Sequence, residues 1–249
     1  MSRQRISAKS SELSDAEKIE YRALIGQLNW IATHTRPDIV FEVCELSVAY
    51  TTATIADLLK LNKVIMRVIT DNVKLYFPQM ESLDLCSIEC YSDASFANLP
   101  GSGSQGGLII FIMDSVGRKC PIYWQSRKIR RVVKSTLAAE TLALVDCVYA
   151  AVYIQHVLTE LIKGEKLPIN CYVDNKSLLD TLNSNKNVDD KRLRIDLAVL
   201  QDMLQQKEVH KILWIESKYQ LADCLTKRGA SAEQLRAAIS RQQILNVYI

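Results

Sequence analysis

Four carboxylates, Asp93, Glu140, Asp174 and Asp223, stand near the boundaries of predicted helices and strands. They are far enough apart in sequence for separate elements to return each of them to one place. Crowded anions repel one another and resist ionisation, and a divalent cation relieves that repulsion. Carboxylate oxygens are hard ligands that select Mg²⁺ or Mn²⁺, and two such ions can supply a hydroxide for attack on a phosphodiester without a serine, cysteine or histidine nucleophile. The alternative is that these acids are ordinary helix caps and turn formers.

The first elements that would position these acids are strands. Three strands are predicted from short apolar runs, over 83–92, 108–113 and 120–125. The Gly-Ser-rich stretch 100–107 predicts the turn between the first two strands, and Asp93 would end the first of them. Tight connections between successive strands indicate an antiparallel meander.

A long helix follows the meander, and strands and helices then alternate. Ser135 or Thr136 would cap this helix, which carries Glu140 one turn from its start. The later elements are a strand over 168–173 that ends at Asp174, helices over 176–183 and 190–206, a strand over 211–216 and a final helical stretch that Asp223 opens. The resulting order, βββαβααβα, predicts an α/β fold with a mixed five-stranded sheet flanked by helices.

The N-terminal part of the chain has a different pattern, because its apolar residues recur at helical spacing. Ser14 and Glu17 form a capping box that starts a first helix, Pro37 marks the start of a second, and residues 54–70 form a third. We therefore predict a helical segment over 1–80 and a separate α/β domain over 81–249.

The net charge of +3 is too small to indicate a partner, but its distribution is uneven. Residues 115–139 contain seven basic residues and no acid: Arg118, Lys119, Arg127, Lys128, Arg130, Arg131 and Lys134. Such a run could hold the phosphates of a nucleic-acid duplex without reading its sequence. The alternative is a solvated edge strand. Tyr123 and Trp124 in the same run could stack on a base or could belong to the core.

Seven scattered cysteines favour buried thiols in a reducing compartment, and no second ligand pair at zinc spacing accompanies Cys86 and Cys90. The N-terminus lacks the apolar region of a secretory signal. The longest apolar tract, around residues 142–158, carries Asp146 and His156, which favours a buried helix over a membrane span.

Several local motifs, in this order, resemble the ribonuclease H domain of copia-type retrotransposon Pol polyproteins. They are Tyr91-Ser-Asp93-Ala-Ser-Phe-Ala97, Trp124-Gln-Ser-Arg-Lys128, Ser135-Thr-Leu-Ala-Ala-Glu140, Val173-Asp174-Asn-Lys-Ser177 and Gln220-Leu-Ala-Asp223-Cys-Leu-Thr-Lys227. Further upstream, Tyr21-Arg-Ala-Leu-Ile-Gly26 and Thr35-Arg-Pro-Asp-Ile39 resemble the end of the reverse transcriptase that precedes this domain in the family. The resemblance covers most of the chain, and the shared order of the motifs makes it specific.

The resemblance implies a ribonuclease H-like fold and an endonuclease that hydrolyses the RNA strand of an RNA–DNA hybrid. Asp93, Glu140, Asp174 and Asp223 would be its catalytic acids and would hold two Mg²⁺ ions, with Mn²⁺ as a substitute. The helical segment 1–80 would be the thumb- or connection-like end of a reverse transcriptase. The resemblance also implies that the upstream polymerase is a partner, that no membrane is involved, and that the protein is intracellular, in cytoplasmic virus-like particles with access to the nucleus.

Two features depart from the family pattern. The paired aspartates of a polymerase are not in this sequence, so we expect no DNA synthesis by this chain alone. The loop before Asp223 lacks the histidine found in cellular ribonucleases H, and Glu216, Lys218 or water would take over its part in product release or proton transfer.

Substrate contacts are assigned to a further set of residues. Asn175 and Ser177 could reach a ribose 2′-hydroxyl, or Asn175 could simply cap the next helix. The phosphate contacts are assigned to Arg127, Lys128, Arg130, Arg131 and Lys134. Two alternatives to the nuclease remain: a catalytically inactive nucleic-acid-binding remnant of a degenerate retroelement, and an integrase or transposase, a class in which fewer acids are used.

Overall fold

A computed structural model describes residues 9–184 and 188–240 of the chain. The described residues divide into two compact units, and the division falls between Lys74 and Leu75. The first unit is helical and the second contains the sheet. That the first unit derives from a reverse transcriptase stays a prediction.

Within residues 9–74, the N-terminal unit has three α-helices: α1 (Asp15–His34), α2 (Val40–Ser47) and α3 (Ile55–Thr70). The capping box predicted at Ser14 is confirmed, because the Glu17 carboxylate accepts from the Ser14 backbone N–H at 2.9 Å while the Ser14 hydroxyl accepts from Glu17 N–H. Thr54 and Asp57 cap α3 in the same way. The apolar faces of the helices are buried, with Tyr21 donating its hydroxyl to the Leu46 carbonyl at 2.9 Å.

The second unit, over the residues that the structure describes, is built on five strands: β1 (Ser87–Leu99), β2 (Gly103–Met113), β3 (Lys119–Ile129), β4 (Ile169–Val173) and β5 (Lys211–Trp214). Their order in the sheet is β3-β2-β1-β4-β5. The meander β1-β2-β3 is antiparallel, whereas β4 pairs with both β1 and β5 in parallel. The mixed five-stranded sheet and the βββαβααβα order predicted from the sequence are therefore confirmed.

The first two strands are longer than the sequence predicted. The predicted turn over 100–107 is wrong for its second half, since only 100–102 form the turn and β2 begins at Gly103. Asp93 consequently lies within β1, opposite Gly107, and not at the end of the strand. Glycine weakens a strand, and a glycine inside one often marks a place where another segment of chain approaches closely. Gly107 is such a place. A Cβ built there would lie 2.7 Å from Leu225 Cβ.

Four α-helices complete the described part of this unit: α4 (Thr136–Ile162), α5 (Lys176–Leu182), α6 (Lys191–Gln205) and α7 (Glu233–Ile239). Ser135 caps α4 as predicted, with its hydroxyl accepting from Ala138 N–H at 3.1 Å. The buried face of α4 joins the core formed with the sheet through Leu144, Cys147 and Val148. Since α4 packs against the central strands, it sets Glu140 beside β1.

Within the described residues, α4 is also the one helix long and apolar enough to cross a membrane by length and composition. Half of its most apolar window is nevertheless buried. Both observations suit the predicted buried helix, because a helix covering a sheet must be apolar on its packed side.

Candidate metal centre

The structure brings three of the four predicted acids together. Asp93 and Asp174 each lie two residues beyond Tyr91 and Tyr172, which pair across the parallel strands β1 and β4. Glu140 reaches the same place from the start of α4. One carboxylate oxygen of each acid lies within 4.8 Å of the others, in an arrangement that could hold a metal ion.

Burial and mutual repulsion make the ionised forms of these acids costly. Asp93 is 1% exposed and Glu140 is 6% exposed. Burial, followed by the charges of Asp93 and Asp174, raises the pKa of Glu140 to about 9. Burial also raises the pKa of Asp93 to about 6, although Lys227 and a hydrogen bond from Thr226 oppose the rise. Hard, crowded and desolvated oxygens of this kind fit a divalent cation, which would hold them in the ionised form.

Asp223 stands beside this group and is joined to it by a lysine. Lys227 makes an ion pair with Asp223 Oδ1, and its Nζ lies 3.5 Å from Asp93 Oδ2. Burial acts to lower the pKa of Lys227, but the charges of Asp93 and Asp223 raise it further than burial lowers it. Asp223 is thus positioned next to the cluster, and Lys227 lies between the two carboxylates.

The prediction that Asp223 opens the final helix is wrong. Asp223–Leu225 is a single 3-10 turn, and α7 begins only at Glu233. The carbonyls of Leu225 and Thr226 accept hydrogen bonds from the buried hydroxyls of Ser126 and Ser95, at 2.5 and 2.9 Å. These carbonyls are therefore engaged with the strands, and the left-handed Gly229 (φ +77°) then turns the chain away.

A second set of hydrogen bonds orients Asp174. The Ser217 hydroxyl donates to Asp174 Oδ2 at 2.7 Å, and the indole N–H of Trp214 donates to the Asp174 carbonyl at 3.0 Å. Ser217 belongs to the loop in which the sequence lacks the expected histidine. In that loop Glu216 and Lys218, both well exposed, form an ion pair at 2.7 Å.

Sequence reasoning assigned no role to Ser217, Thr226 or Lys227. The spacing of Asp223 and Lys227, four residues apart, is a known signal for an ion pair on one turn of chain and could have identified the lysine. Nothing in the sequence around Ser217 or Thr226 distinguishes these hydroxyls from ordinary turn residues. Their roles depend on long-range contacts that only the fold creates.

The residues that were predicted to contact phosphates lie on and after β3, which is an edge strand of the sheet. Arg127 pairs with Asp146 at 2.7 Å, and Arg131 pairs with Asp196. The assignment of Lys128, Arg130 and Lys134, which are all exposed, to phosphate contacts stays a prediction. Basic residues on an edge strand also protect a sheet against edge-to-edge aggregation.

Of the other residues that were predicted to contact the substrate, some are engaged within the fold and others are exposed. Asn175 Oδ1 accepts from Leu178 N–H at 3.0 Å, so Asn175 caps α5 as the alternative interpretation held. Ser177 is exposed. Trp124 is 8% exposed and belongs to the interior, whereas Tyr123 is 37% exposed.

Comparison with known proteins shows which proteins the chain is similar to. No protein-family model matches the chain. The retrovirus-related Pol polyprotein from transposon RE1 of Arabidopsis thaliana is 29% identical over 212 residues, which are 84% of this chain and 14% of that protein. The corresponding polyprotein from transposon RE2 is 27% identical over the same share. The chain is thus a homologue of retrotransposon Pol polyproteins, as its motifs predict, and it spans about 14% of the length of these relatives.

Two solved structures illustrate the structural similarity. The LC11-RNase H1 complex with an RNA/DNA hybrid has a TM-score of 0.43 and 17% identity, over 56% of this chain and 94% of that one. The foamy viral protease-reverse transcriptase in complex with an RNA/DNA hybrid has a TM-score of 0.43 and 13% identity, over 71% of this chain and 26% of that one. Our assignment of the fold rests on the strand order and register described above.

Proposed function

We propose that this chain is a metal-dependent endonuclease that hydrolyses the RNA strand of RNA–DNA hybrids. The observation that carries the proposal is the convergence of Asp93, Glu140 and Asp174 on one point at the centre of the sheet. The homology to retrotransposon Pol polyproteins supports it, because copying RNA into DNA leaves a hybrid whose RNA strand must be removed.

The three clustered carboxylates would hold the metal, and the carboxylate of Asp223 would be a fourth ligand. Two bound Mg²⁺ ions would supply an activated water and neutralise charge on the phosphodiester. Asp93 and Glu140 contribute buried oxygens whose positions the strand and the helix fix. Ser217 keeps the Asp174 carboxylate turned toward the cluster.

The duplex would lie along the basic segment that follows β3. Lys128, Arg130 and Lys134 would contact phosphates, which positions a duplex without selecting a sequence. Ser177, exposed beside Asp174, would contact the ribose 2′-hydroxyl that distinguishes RNA from DNA. Asn175 keeps its amide nitrogen available for the same contact while its oxygen caps α5.

Two further parts of the proposal concern the setting of the domain. We assign the N-terminal helical unit to the end of a reverse transcriptase, which would act with this nuclease in the intact polyprotein. We also place the chain in a reducing intracellular compartment, the cytoplasm first, since its seven cysteines are all free thiols.

The test is cleavage of a labelled RNA–DNA hybrid in Mg²⁺ by the parent chain and by Asp93→Asn and Asp174→Asn. We expect cleavage by the parent and a loss of at least a hundredfold in each variant, while circular dichroism shows both variants folded. Asp180→Asn, an exposed aspartate on α5, is the matched control and should cleave like the parent. Hybrid binding without cleavage by the parent would instead identify an inactive remnant, and cutting of duplex DNA would identify an integrase-like enzyme.

A further inference from the structure

The side chain of Lys227 occupies a position between two acids of the candidate metal centre. Its ammonium group forms an ion pair with Asp223 and lies 3.5 Å from Asp93 Oδ2. The Asp93 side chain is 1% exposed and that of Lys227 is 39% exposed, so the lysine reaches inward from the surface to a buried carboxylate.

The backbone just before Lys227 is held against the sheet by specific contacts. Ser95 and Ser126 donate to the carbonyls of the two preceding residues, and the Thr226 hydroxyl donates to Asp93. The missing side chain at Gly107 leaves room for this segment, since a Cβ there would lie 2.8 Å from Thr226 Cγ2. The placement of Lys227 is therefore fixed by buried contacts in addition to its own ion pairs.

The ammonium group and a divalent cation would both be attracted to the same carboxylates. Without a metal ion, the acids repel one another, and a neighbouring positive charge reduces that repulsion. With a metal ion, the same positive charge repels the ion and holds Asp223 and Asp93 in a competing ion pair.

We propose that Lys227 is an internal counter-ion that stabilises the metal-free fold and competes with divalent cations for Asp93 and Asp223. The inference rests on the proposed function, since it takes these acids to be the metal ligands. It assigns to Lys227 the control of metal affinity, and hence of the Mg²⁺ concentration at which the centre fills.

The experiment compares the full-length parent with Lys227→Met, which keeps an unbranched side chain one atom shorter and removes the charge. Ca²⁺ binding is measured by isothermal titration calorimetry without nucleic acid, and Tm is measured in EDTA. We expect Lys227→Met to bind Ca²⁺ roughly tenfold more tightly and to melt about 2–4 °C lower in EDTA. Lys227→Arg should resemble the parent, and so should Lys166→Met, which removes the charge of an exposed lysine elsewhere.

The outcomes separate this inference from the nuclease proposal. A Lys227→Met protein that folds only in Ca²⁺ would support the inference. A parent-like or weaker Ca²⁺ affinity of Lys227→Met, an unchanged Tm in EDTA, or no Ca²⁺ binding by the parent would overturn it, even if the parent cleaves hybrids. Tighter Ca²⁺ binding by Lys227→Met with no cleavage by the parent would overturn the nuclease proposal and leave the inference standing.

Discussion

Glu140 shows how a proposed metal ligand can oppose the stability of its own fold. Its carboxylate is buried next to Asp93 and Asp174, and the combined effect of burial and like charge raises its pKa. A group of this kind contributes little to folding without a cation and becomes useful only when a cation is bound. The site is thus a place where stability and function demand different side chains.

We predict that Glu140→Gln raises the Tm of the metal-free protein and abolishes hybrid cleavage. The amide keeps the shape of the side chain, and it removes the cost of burying a carboxyl group whose pKa is about 9 in the fold but which is ionised in the unfolded chain at pH 8. Thermal melting in EDTA at pH 8 measures the first effect. Glu160→Gln, near the exposed end of the same helix, should change neither property, and a lower Tm for Glu140→Gln would contradict the prediction.

Ser217 offers a second test at the residue scale, because it touches Asp174. Loss of a hydrogen bond that orients a metal-binding side chain commonly costs metal affinity about tenfold or more. Ser217→Ala should therefore weaken Ca²⁺ binding while leaving the Tm in EDTA nearly unchanged. Ser217→Thr retains the hydroxyl and should restore the affinity; equal affinities for the alanine variant and the parent would remove Ser217 from the site.

At the scale of elements, periodicity and capping signals were enough to predict the order of helices and strands. The long apolar helix, for example, follows directly from Ser135 and the apolar spacing behind it. The prediction failed where a long-range contact overrides a local preference. Gly107 looks like a turn residue in the sequence, but it lies in β2 opposite Asp93, and Leu225 packs into the space that a side chain at Gly107 would fill.

The site was predictable to a similar degree. The order of the motifs predicted that Asp93, Glu140 and Asp174 would meet, although Asp93 lies within β1 and not at the strand end where the sequence placed it. The surroundings of Asp223 were not predictable, since the hydroxyls that hold its turn come from β1 and β3, far away in sequence. The sequence pattern therefore indicates which acids come together, whereas the hydrogen bonds that position each of them are visible only in the folded structure.

The close approach at Gly107 leads to a prediction with a natural control on the same strand. A Cβ at Gly107 would lie 2.7 Å from Leu225 Cβ, whereas a Cβ at Gly106 would lie 3.6 Å from its nearest neighbour, an ordinary contact. We expect Gly107→Ala to destabilise the fold by about 1–3 kcal/mol and to weaken Ca²⁺ binding by displacing the turn that carries Asp223. Gly106→Ala should be close to neutral in urea unfolding, and equal effects would contradict this account.

The hairpin between β2 and β3 depends on Asp114, which is 3% exposed. Its Oδ1 accepts from Arg118 N–H at 2.8 Å and its Oδ2 accepts from Arg118 Nε at 2.6 Å. Burial acts to raise the pKa of Asp114, but these hydrogen bonds and the charge of Arg118 lower it overall. The ionised carboxylate therefore stabilises the hairpin.

We predict that Asp114→Asn destabilises the protein by about 1–3 kcal/mol at pH 7. The pKa of Asp114 is lower in the folded than in the unfolded state, so its contribution is present above the unfolded value near pH 4 and is lost as the pH falls through the folded value. Urea unfolding at pH 7 and below pH 3 should show the difference between parent and variant shrinking in acid. A difference that is constant with pH would argue for lost packing instead.

At the scale of the whole molecule, the strand order separates local from distant pairings. The meander β1-β2-β3 forms between neighbours in sequence, whereas β1 meets β4 only across the long α4 helix. Asp93 and Asp174 lie on either side of that distant pairing. The chain must therefore close a long loop before the acids can meet, and the entropy lost in closing that loop is compensated only after the strands have paired.

The order of assembly determines when a cation can influence the protein. If the acids converge only after the main folding barrier, Ca²⁺ should slow unfolding and leave the rate of folding nearly unchanged. Stopped-flow folding and unfolding in urea, with Ca²⁺ and with EDTA, would measure both rates, and a faster folding rate in Ca²⁺ would show that the acids meet earlier. If the parallel pairing at the centre of the sheet forms late, a cation bound by the acids would slow unfolding without accelerating folding.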